Sequence, residues 1–306
     1  MTIYSKYNEV RNAYLSSLKM ITQSVATYDK YETVLNDFGK FLEQNCGKVE
    51  QTDISPLMVL NYKEEATKRG IKRNTLRHYL IILRSFFKWC VEHKFYAEQP
   101  IFESDIPKSE RIEYNLLTEQ QIETILRGEI PKWSKMATAK RNRALVILLI
   151  QSGLRVSELI NLRIKDLDFE QHTIRVSHGK GDKLRYTTLP PLAEQFVKEY
   201  IDERFMGNYD GQNVYLFANE NGEPFTRQNI TQIVRAYVNR TIGRNDVGAH
   251  DLRHAYASYM ITHGMTLEDI QELLGHSSYA TTVIYASHLC PKRISKNANN
   301  IWDNIY

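Results

Sequence analysis

The sequence predicts a mainly α protein with a small β-hairpin or sheet, an α+β chain whose helical N-terminal domain precedes a larger second domain. Three observations lead there. The chain has 306 residues, more than the roughly 100–200 of one ordinary domain. Apolar residues recur at helical spacing through most of its length. Paired strands are signalled in one place, where Thr173–Val176 and Leu184–Leu189 flank the turn Gly179, Lys180, Gly181, Asp182. This reading sets the first domain at 1–105, a linker at 106–116 and the second domain at 117–306.

In the first domain, Tyr28–Gln44 carries Tyr31, Val34, Leu35, Phe38, Phe41 and Leu42 at a helical period. Asn74–Cys90 is clearer. At 100° per residue, Leu76, Leu80, Leu83, Phe87 and Cys90 share an arc of about 80°, and Arg73, Arg77, Arg84 and Lys88 share one of about 60° beside it. Four cations along roughly 22 Å match the run of a DNA backbone; they match a solvated face flanking a core stripe equally well. Pro100, Pro107 and a scarcity of large apolar residues then mark the linker. Thr118 caps a helix over Glu119–Leu126, Arg143–Gln151 reads as a buried helix with Gly153 at its C-cap, and Val156–Leu162 starts another. After the hairpin, helical stretches fall around Pro191–Met206, Arg227–Thr241, Arg253–Thr262 and Leu267–Leu274.

Composition excludes several classes. Hydrophobic residues at 42% and charged residues at 25% are ordinary globular values, so collagen-like, disordered and disulfide-scaffold chains are set aside. The longest wholly apolar run, Ala144–Ile150, falls far short of the about 20 residues of a membrane span. Residues 1–6 lack the apolar stretch of a secretory signal. Cys46, Cys90 and Cys290 are odd in number and unrelated in spacing, which suits neither a disulfide framework nor a zinc site. The expectation is a soluble cytoplasmic protein. A net charge of +4 is too small to name a nucleic-acid partner by itself.

Among chemistry-bearing patterns, a Walker-type loop, HExxH, a Cys/His cluster at metal spacing and a carboxylate triplet are all missing, so neither cofactor nor metal is expected. What remains is a set of cationic and imidazole groups: Arg155 in Ser-Gly-Leu-Arg-Val-Ser-Glu-Leu (152–159), Lys180 in the hairpin turn, His250 and Arg253, His276 in Leu-Leu-Gly-His-Ser-Ser (273–278), and Tyr285. Single spacings decide nothing here. His172 and Arg175 repeat the His-x-x-Arg pattern, and His250 and Tyr259 repeat the spacing of His276 and Tyr285.

The ordered set resembles the tyrosine recombinase (phage integrase) family. The likeness rests on residues 152–159, the Gly-Lys-Gly-Asp-Lys turn, His-Asp-Leu-Arg-His (250–254), Ile-Gln-Glu-Leu-Leu-Gly-His-Ser-Ser (270–278) and Thr-Thr-Val-Ile-Tyr (281–285). It implies a helical core-binding domain that clamps DNA, a catalytic domain, and a Xer-like layout with no separate arm-binding domain. It also implies a division of labour. Arg155, Arg253 and His276 would hold the scissile phosphate, whose transition state concentrates charge on non-bridging oxygens. Tyr285 would be the nucleophile, His250 its base, and Lys180 the acid for the leaving 5′-oxygen. Glu158, three residues after Arg155, would orient that arginine, and Arg73, Arg77, Arg84 and Lys88 would contact DNA.

The activity so implied is site-specific DNA strand exchange through a 3′-phosphotyrosine intermediate, independent of metal and ATP. It would serve integration, excision, inversion or dimer resolution. Expected partners are double-stranded DNA with paired half-sites and a homotetramer joined by the C-terminal tail. That tail carries Ile294, Ala298, Ile301, Trp302 and Ile305 at helical spacing, which suits docking on a neighbour and packing on its own domain equally. An accessory directionality factor or partner recombinase would fit this scheme. Two alternatives share the chemistry or the fold: relaxation of DNA as by a type IB topoisomerase, and a non-catalytic DNA-binding regulator.

Overall fold

The computed structural model describes residues 2–22, 24–46, 53–110, 116–128, 136–177, 184–206 and 213–275. The chain divides into two compact units, Met1–Glu113 and Tyr114–Tyr306. The fold is mainly helical with one small antiparallel sheet.

The first unit is built from α1 (Ile3–Ile21), α2 (Val25–Cys46), α3 (Pro56–Lys68) and α4 (Arg73–Glu92). Thr2 caps α1 and Ser55 caps α3 through their hydroxyls, with Pro56 at the first helical position of α3. The core is aromatic. Phe38 meets Tyr7, Tyr62 and Phe87 edge to face at centroid separations of 5.5, 5.0 and 5.9 Å, the arrangement the ring quadrupoles favour. The Tyr7 hydroxyl donates to Leu35 O at 2.8 Å, and Tyr62 donates to Asp37, which Arg69 grips with both guanidinium nitrogens. The buried face of α4 includes Ile82 and Phe86 besides the five residues at helical spacing, so it is broader than the periodicity suggests.

The second unit contains α5 (Glu119–Arg127), α6 (Met136–Ser152), α7 (Val156–Asn161), β1 (Leu167–Asp168), β2 (Thr173–Val176), β3 (Arg185–Thr188), α8 (Pro191–Phe205), α9 (Arg227–Ile242), α10 (Ala249–Thr262) and α11 (Leu267–Leu274). Thr118 and Gln121 form a reciprocal capping box on α5. The centre is α6, buried without a break from Ala144 to Ile150 and packed against α8, α9 and α10. The sheet runs β1-β2-β3, with Ile174 opposite Thr187 and Val176 opposite Arg185. The two strands of the hairpin thus gain a short third strand at the β2 edge, where Leu167 pairs with Ile174. Thr187 Oγ1 donates to Ser152 O at 2.9 Å and fixes β3 to the end of α6.

One difference from the sequence reading matters for the site. Helix α10 begins at Ala249 rather than Arg253, because Asp251 accepts the Gly248 N–H at 2.8 Å and caps a turn earlier. His250 and Arg253 therefore lie on one helix, a turn apart. Arg155 is the N-cap of α7, which starts at Val156 as the sequence reading has it. Among the described residues no helix is long and apolar enough to cross a membrane.

Candidate active site: three arginines around one buried glutamate

The site begins where α6 ends. Gly153 turns the chain at φ +63°, and a Cβ there would lie 2.5 Å from the Tyr256 ring and 2.7 Å from Leu274, so only glycine permits this reversal. Two residues on, Arg155 caps α7, and Glu158 reaches back to accept its backbone N–H at 2.7 Å. The same carboxylate accepts from Arg155 Nη1 at 2.8 Å and from both terminal nitrogens of Arg185 at 2.8 Å. Arg253 Nη1 lies 4.0 Å away. With its side chain 1% exposed, Glu158 is, among the described residues, the carboxylate that faces all three guanidinium groups. Burial pushes its pKa up, but the Arg185 hydrogen bonds and charge, together with the Arg155 hydrogen bonds, outweigh burial and hold it below the usual 4.5.

The three arginines share a second target. Arg185 Nε donates to Leu273 O at 3.0 Å, Arg253 Nη2 to Leu274 O at 2.7 Å, and Arg155 Nη2 to Gly275 O at 2.7 Å. These are successive carbonyls at the C-terminus of α11, where unsatisfied acceptors and the helix dipole concentrate negative character. Arg253 also donates to Gly153 O, tying α10 to the turn after α6. Its side chain is 2% exposed, against 29% for Arg155; Arg155 is the more accessible of the two.

His250 sits at the exposed second position of α10, its ring 4.3 Å from that of His254. Desolvation, then the Arg253 and Arg155 charges, lower its pKa below 6.5 against an opposing effect of Asp251. It is therefore neutral at pH 7 and able to accept a proton. Lys180, His276 and Tyr285 lie outside the described residues. Among the described residues no group of three or more His, Cys, Asp and Glu is gathered to hold a metal ion.

Residues 115–290 match the phage integrase family, and residues 12–94 match the phage integrase N-terminal SAM-like domain. The chain belongs to the phage integrase family. This integrase-family chain is 32% identical over 290 residues to the tyrosine recombinase XerC of Herpetosiphon aurantiacus, an alignment covering 93% of the chain and 90% of the relative. It is 29% identical over 285 residues to tyrosine recombinase XerC of Lacticaseibacillus casei, with 92% and 91% covered. Its structure is similar to that of the XerH site-specific recombinase bound to palindromic difH substrate in a post-cleavage complex. There the TM-score is 0.74 at 25% identity, covering 92% of this chain and 81% of the other.

The integrase-family site includes a residue that sequence reasoning missed. Arg185 is as central to the Glu158 cluster as Arg155, yet it stands in a strand, two residues past the Gly-Lys-Gly-Asp-Lys turn that drew the sequence reading. Period-two alternation puts Arg185 and Thr187 on one face, but a single sequence does not say what that face meets. Glu158 does bind Arg155, as the sequence suggested. From the first turn of α7 its carboxylate accepts both the Arg155 backbone N–H and the Arg155 Nη1.

The four cations of α4 also have partners. Arg84 pairs with Glu103, Arg77 Nη1 donates to Pro107 O at 2.8 Å, Arg73 lies 3.8 Å from Glu110, and Lys88 lies 3.9 Å from Glu92. The three ion pairs among these are exposed and worth about 0–1 kcal/mol each, so a phosphate can displace them.

His254 leads to a stability prediction. It is buried, and desolvation followed by the His250 charge lowers its pKa from 6.5 to about 4. Between those values the unfolded chain binds the proton and the folded chain does not, so stability rises with pH across this window. The contribution, about 3 kcal/mol, is present above pH 6.5 and lost as pH falls toward 4. Urea midpoints measured from pH 7 to 4.5 are expected to fall more steeply in the wild type than in His254→Asn.

Proposed function

We propose that this chain is a site-specific DNA recombinase that breaks and rejoins strands through a 3′-phosphotyrosine bond at Tyr285. Residues 1–105 serve as the DNA-clamping domain and 117–306 as the catalytic domain. One observation carries the reading. Arg155 and Arg253, distant in sequence, converge on the Leu274 and Gly275 carbonyls, directly before His276 in the chain.

The chemistry follows from the groups. The Tyr285 oxygen attacks phosphorus while the bond to the 5′-oxygen breaks. Arg155 and Arg253 donate to the non-bridging oxygens, exchanging carbonyl acceptors at α11 for phosphate ones, and His276 adds a further donor. A guanidinium fork suits this task because it can offer two parallel N–H donors. Neutral His250 takes the phenolic proton, and Lys180 protonates the leaving 5′-oxygen. One phosphoester replaces another, so no ATP is consumed. A 5′-hydroxyl from the partner duplex reverses the step and completes the exchange. The reading places the chain in the cytoplasm with its DNA.

The test is covalent trapping on nicked DNA fragments, followed by digestion of the SDS-stable complex and sequencing of the modified peptide. Attachment within 281–288 supports the reading, and attachment at another tyrosine overturns the site. A tightly bound DNA site that yields no adduct points to a regulator; an adduct accompanied by relaxation without partner exchange points to a topoisomerase.

Arg73, Arg77, Arg84 and Lys88 would follow the DNA backbone. Each phosphate that a side chain neutralises adds about 0.9 to the steepness with which log K falls against log salt. Replacing all four with Gln is expected to lower the slope by about 3 to 4 in fluorescence-anisotropy titrations. An unchanged slope would assign the stripe to solvent.

Assembly into a tetramer would use the tail, whose Ile294, Ala298, Ile301, Trp302 and Ile305 lie outside the described residues. An apolar cavity of about 170 Å³ lined by Ile122, Leu126, Ile150, Ala255, Tyr256 and Met260 in the second unit supplies surface of matching character. Deleting 292–306 is expected to abolish cooperative binding to a two-site DNA in gel-shift assays while single-site affinity persists.

A further inference from the structure

We propose that Arg185 is a positioning residue for strand transfer, a clamp that holds the C-terminus of α11, and so the start of the segment leading to His276 and Tyr285, against β3 and Glu158. The proposal rests on the recombinase reading of the site.

Arg185 differs from its two neighbours in how its donors are spent. Its fork grips both oxygens of Glu158 at 2.8 Å, and its Nε reaches Leu273 O at 3.0 Å. The side chain is 10% exposed. These bonds are internal, as those of Arg253 are, but of the three arginines Arg185 is the one whose two terminal nitrogens take both Glu158 oxygens, a planar match that only a guanidinium provides. Arg155 and Arg253 hold the next two carbonyls of the same helix end, but in the proposed reaction they must turn donors toward phosphate. Arg185 is then the cation that keeps α11 in place while the other two change partners.

The fit around it is close. Gly275 caps α11 at φ +62°, and a Cβ there would stand 2.7 Å from Arg185 Cδ and 2.9 Å from Nε. The helix end and the arginine stem are in contact, so displacement of one moves the other. In sequence Arg185 also opens β3 five residues after Lys180. It therefore links the strand that follows the acid-bearing turn to the helix that precedes His276.

Charge balance adds a second effect. Glu158 is shared by Arg185 and Arg155, with Arg253 4.0 Å away. Without the Arg185 guanidinium, the buried carboxylate retains Arg155 as its close cation and draws that group inward, away from a phosphate. Burial then raises the Glu158 pKa with less to oppose it, and a proton on Glu158 releases Arg155 from its orientation.

The experiment uses full-length Arg185→Lys and Arg185→Gln beside the wild type, with single-turnover cleavage of nicked DNA, DNA-binding titrations, and hydrogen exchange of the 267–275 peptide. Misplacement by about 1 Å can cost about 100-fold in rate. Arg185→Lys is expected to cleave about 100-fold more slowly while half-saturating DNA stays within about threefold. In Arg185→Gln the rate relative to wild type is expected to fall further as pH drops from 8 to 6. Exchange in 267–275 is expected to speed up in both variants. Wild-type cleavage by either folded variant, or unchanged exchange in 267–275, overturns the proposal. Binding and cleavage falling together, with a lowered melting temperature and no added pH dependence, would make Arg185 a structural strut and overturn it as well. If the wild type itself forms no adduct while exchange is loosened in the variants, the recombinase reading fails and the clamp stands.

Discussion

The Tyr285→Phe protein is expected to bind its DNA site as tightly as the wild type and to form no covalent adduct, a loss of at least about 10⁴-fold in strand cleavage. The substitution removes one oxygen. Every cation assigned to phosphate contact keeps its own side chain, so binding is expected to persist. On the proposed reading the reaction loses its nucleophile outright, since phenylalanine has no group to form a bond to phosphorus. A factor of 10⁴ corresponds to about 5.5 kcal/mol of barrier, and a water admitted in place of the phenol would not recover it, because the product would then be hydrolysed DNA rather than a protein–DNA link. The check is an SDS gel of nicked substrate with the two proteins at matched occupancy. A surviving adduct in Tyr285→Phe would move the nucleophile to another of the 19 tyrosines.

Glu158→Gln is expected to destabilise the protein by about 3–5 kcal/mol, the range for breaking a buried ion pair by removing one partner. Three arginines converge on this carboxylate, and the amide both deletes the negative charge and aims an N–H donor at guanidinium donors. Acid should reproduce part of the effect. The folded-state pKa of Glu158 is lowered from 4.5, so its contribution to stability is fully present above the unfolded value. It is lost as pH falls through the folded value, below the ordinary carboxylate range. Urea unfolding below pH 4.5 should therefore weaken the wild type while leaving the Gln variant flat with respect to this group. Cleavage by the Gln variant should fall by about 10²–10³, the cost of losing one oriented phosphate donor, because Arg155 no longer has an anchor. A variant with wild-type stability would mean that the three cations are neutralised from elsewhere.

Much of the fold was legible because it is written at short range. The helical period of α4, the Thr118 cap, the glycine turn after α6 and the β-branched hairpin strands are all features of a few residues, and each recurs in the structure. The start of α10 was placed late because Ala249–Leu252 has no apolar period, and the cap from Asp251 to Gly248 decides it instead. β1 was invisible because two residues are too few to show alternation; pairing with Ile174 creates the strand.

The sequence by itself determined the type of protein, the order of its elements and the residue types a phosphate-transfer site needs. Those depend on local hydrogen bonding, on side-chain period and on motifs that survive in a string of letters. The tertiary structure alone decided that Arg185 and Arg253 join Arg155 around Glu158, and that each arginine takes one of three consecutive carbonyls of α11. Those bonds join β3, α7, α10 and α11 through pairs far apart in sequence. They exist because burying the one carboxylate requires cations around it, and the packing of the helices on α6 determines which cations arrive.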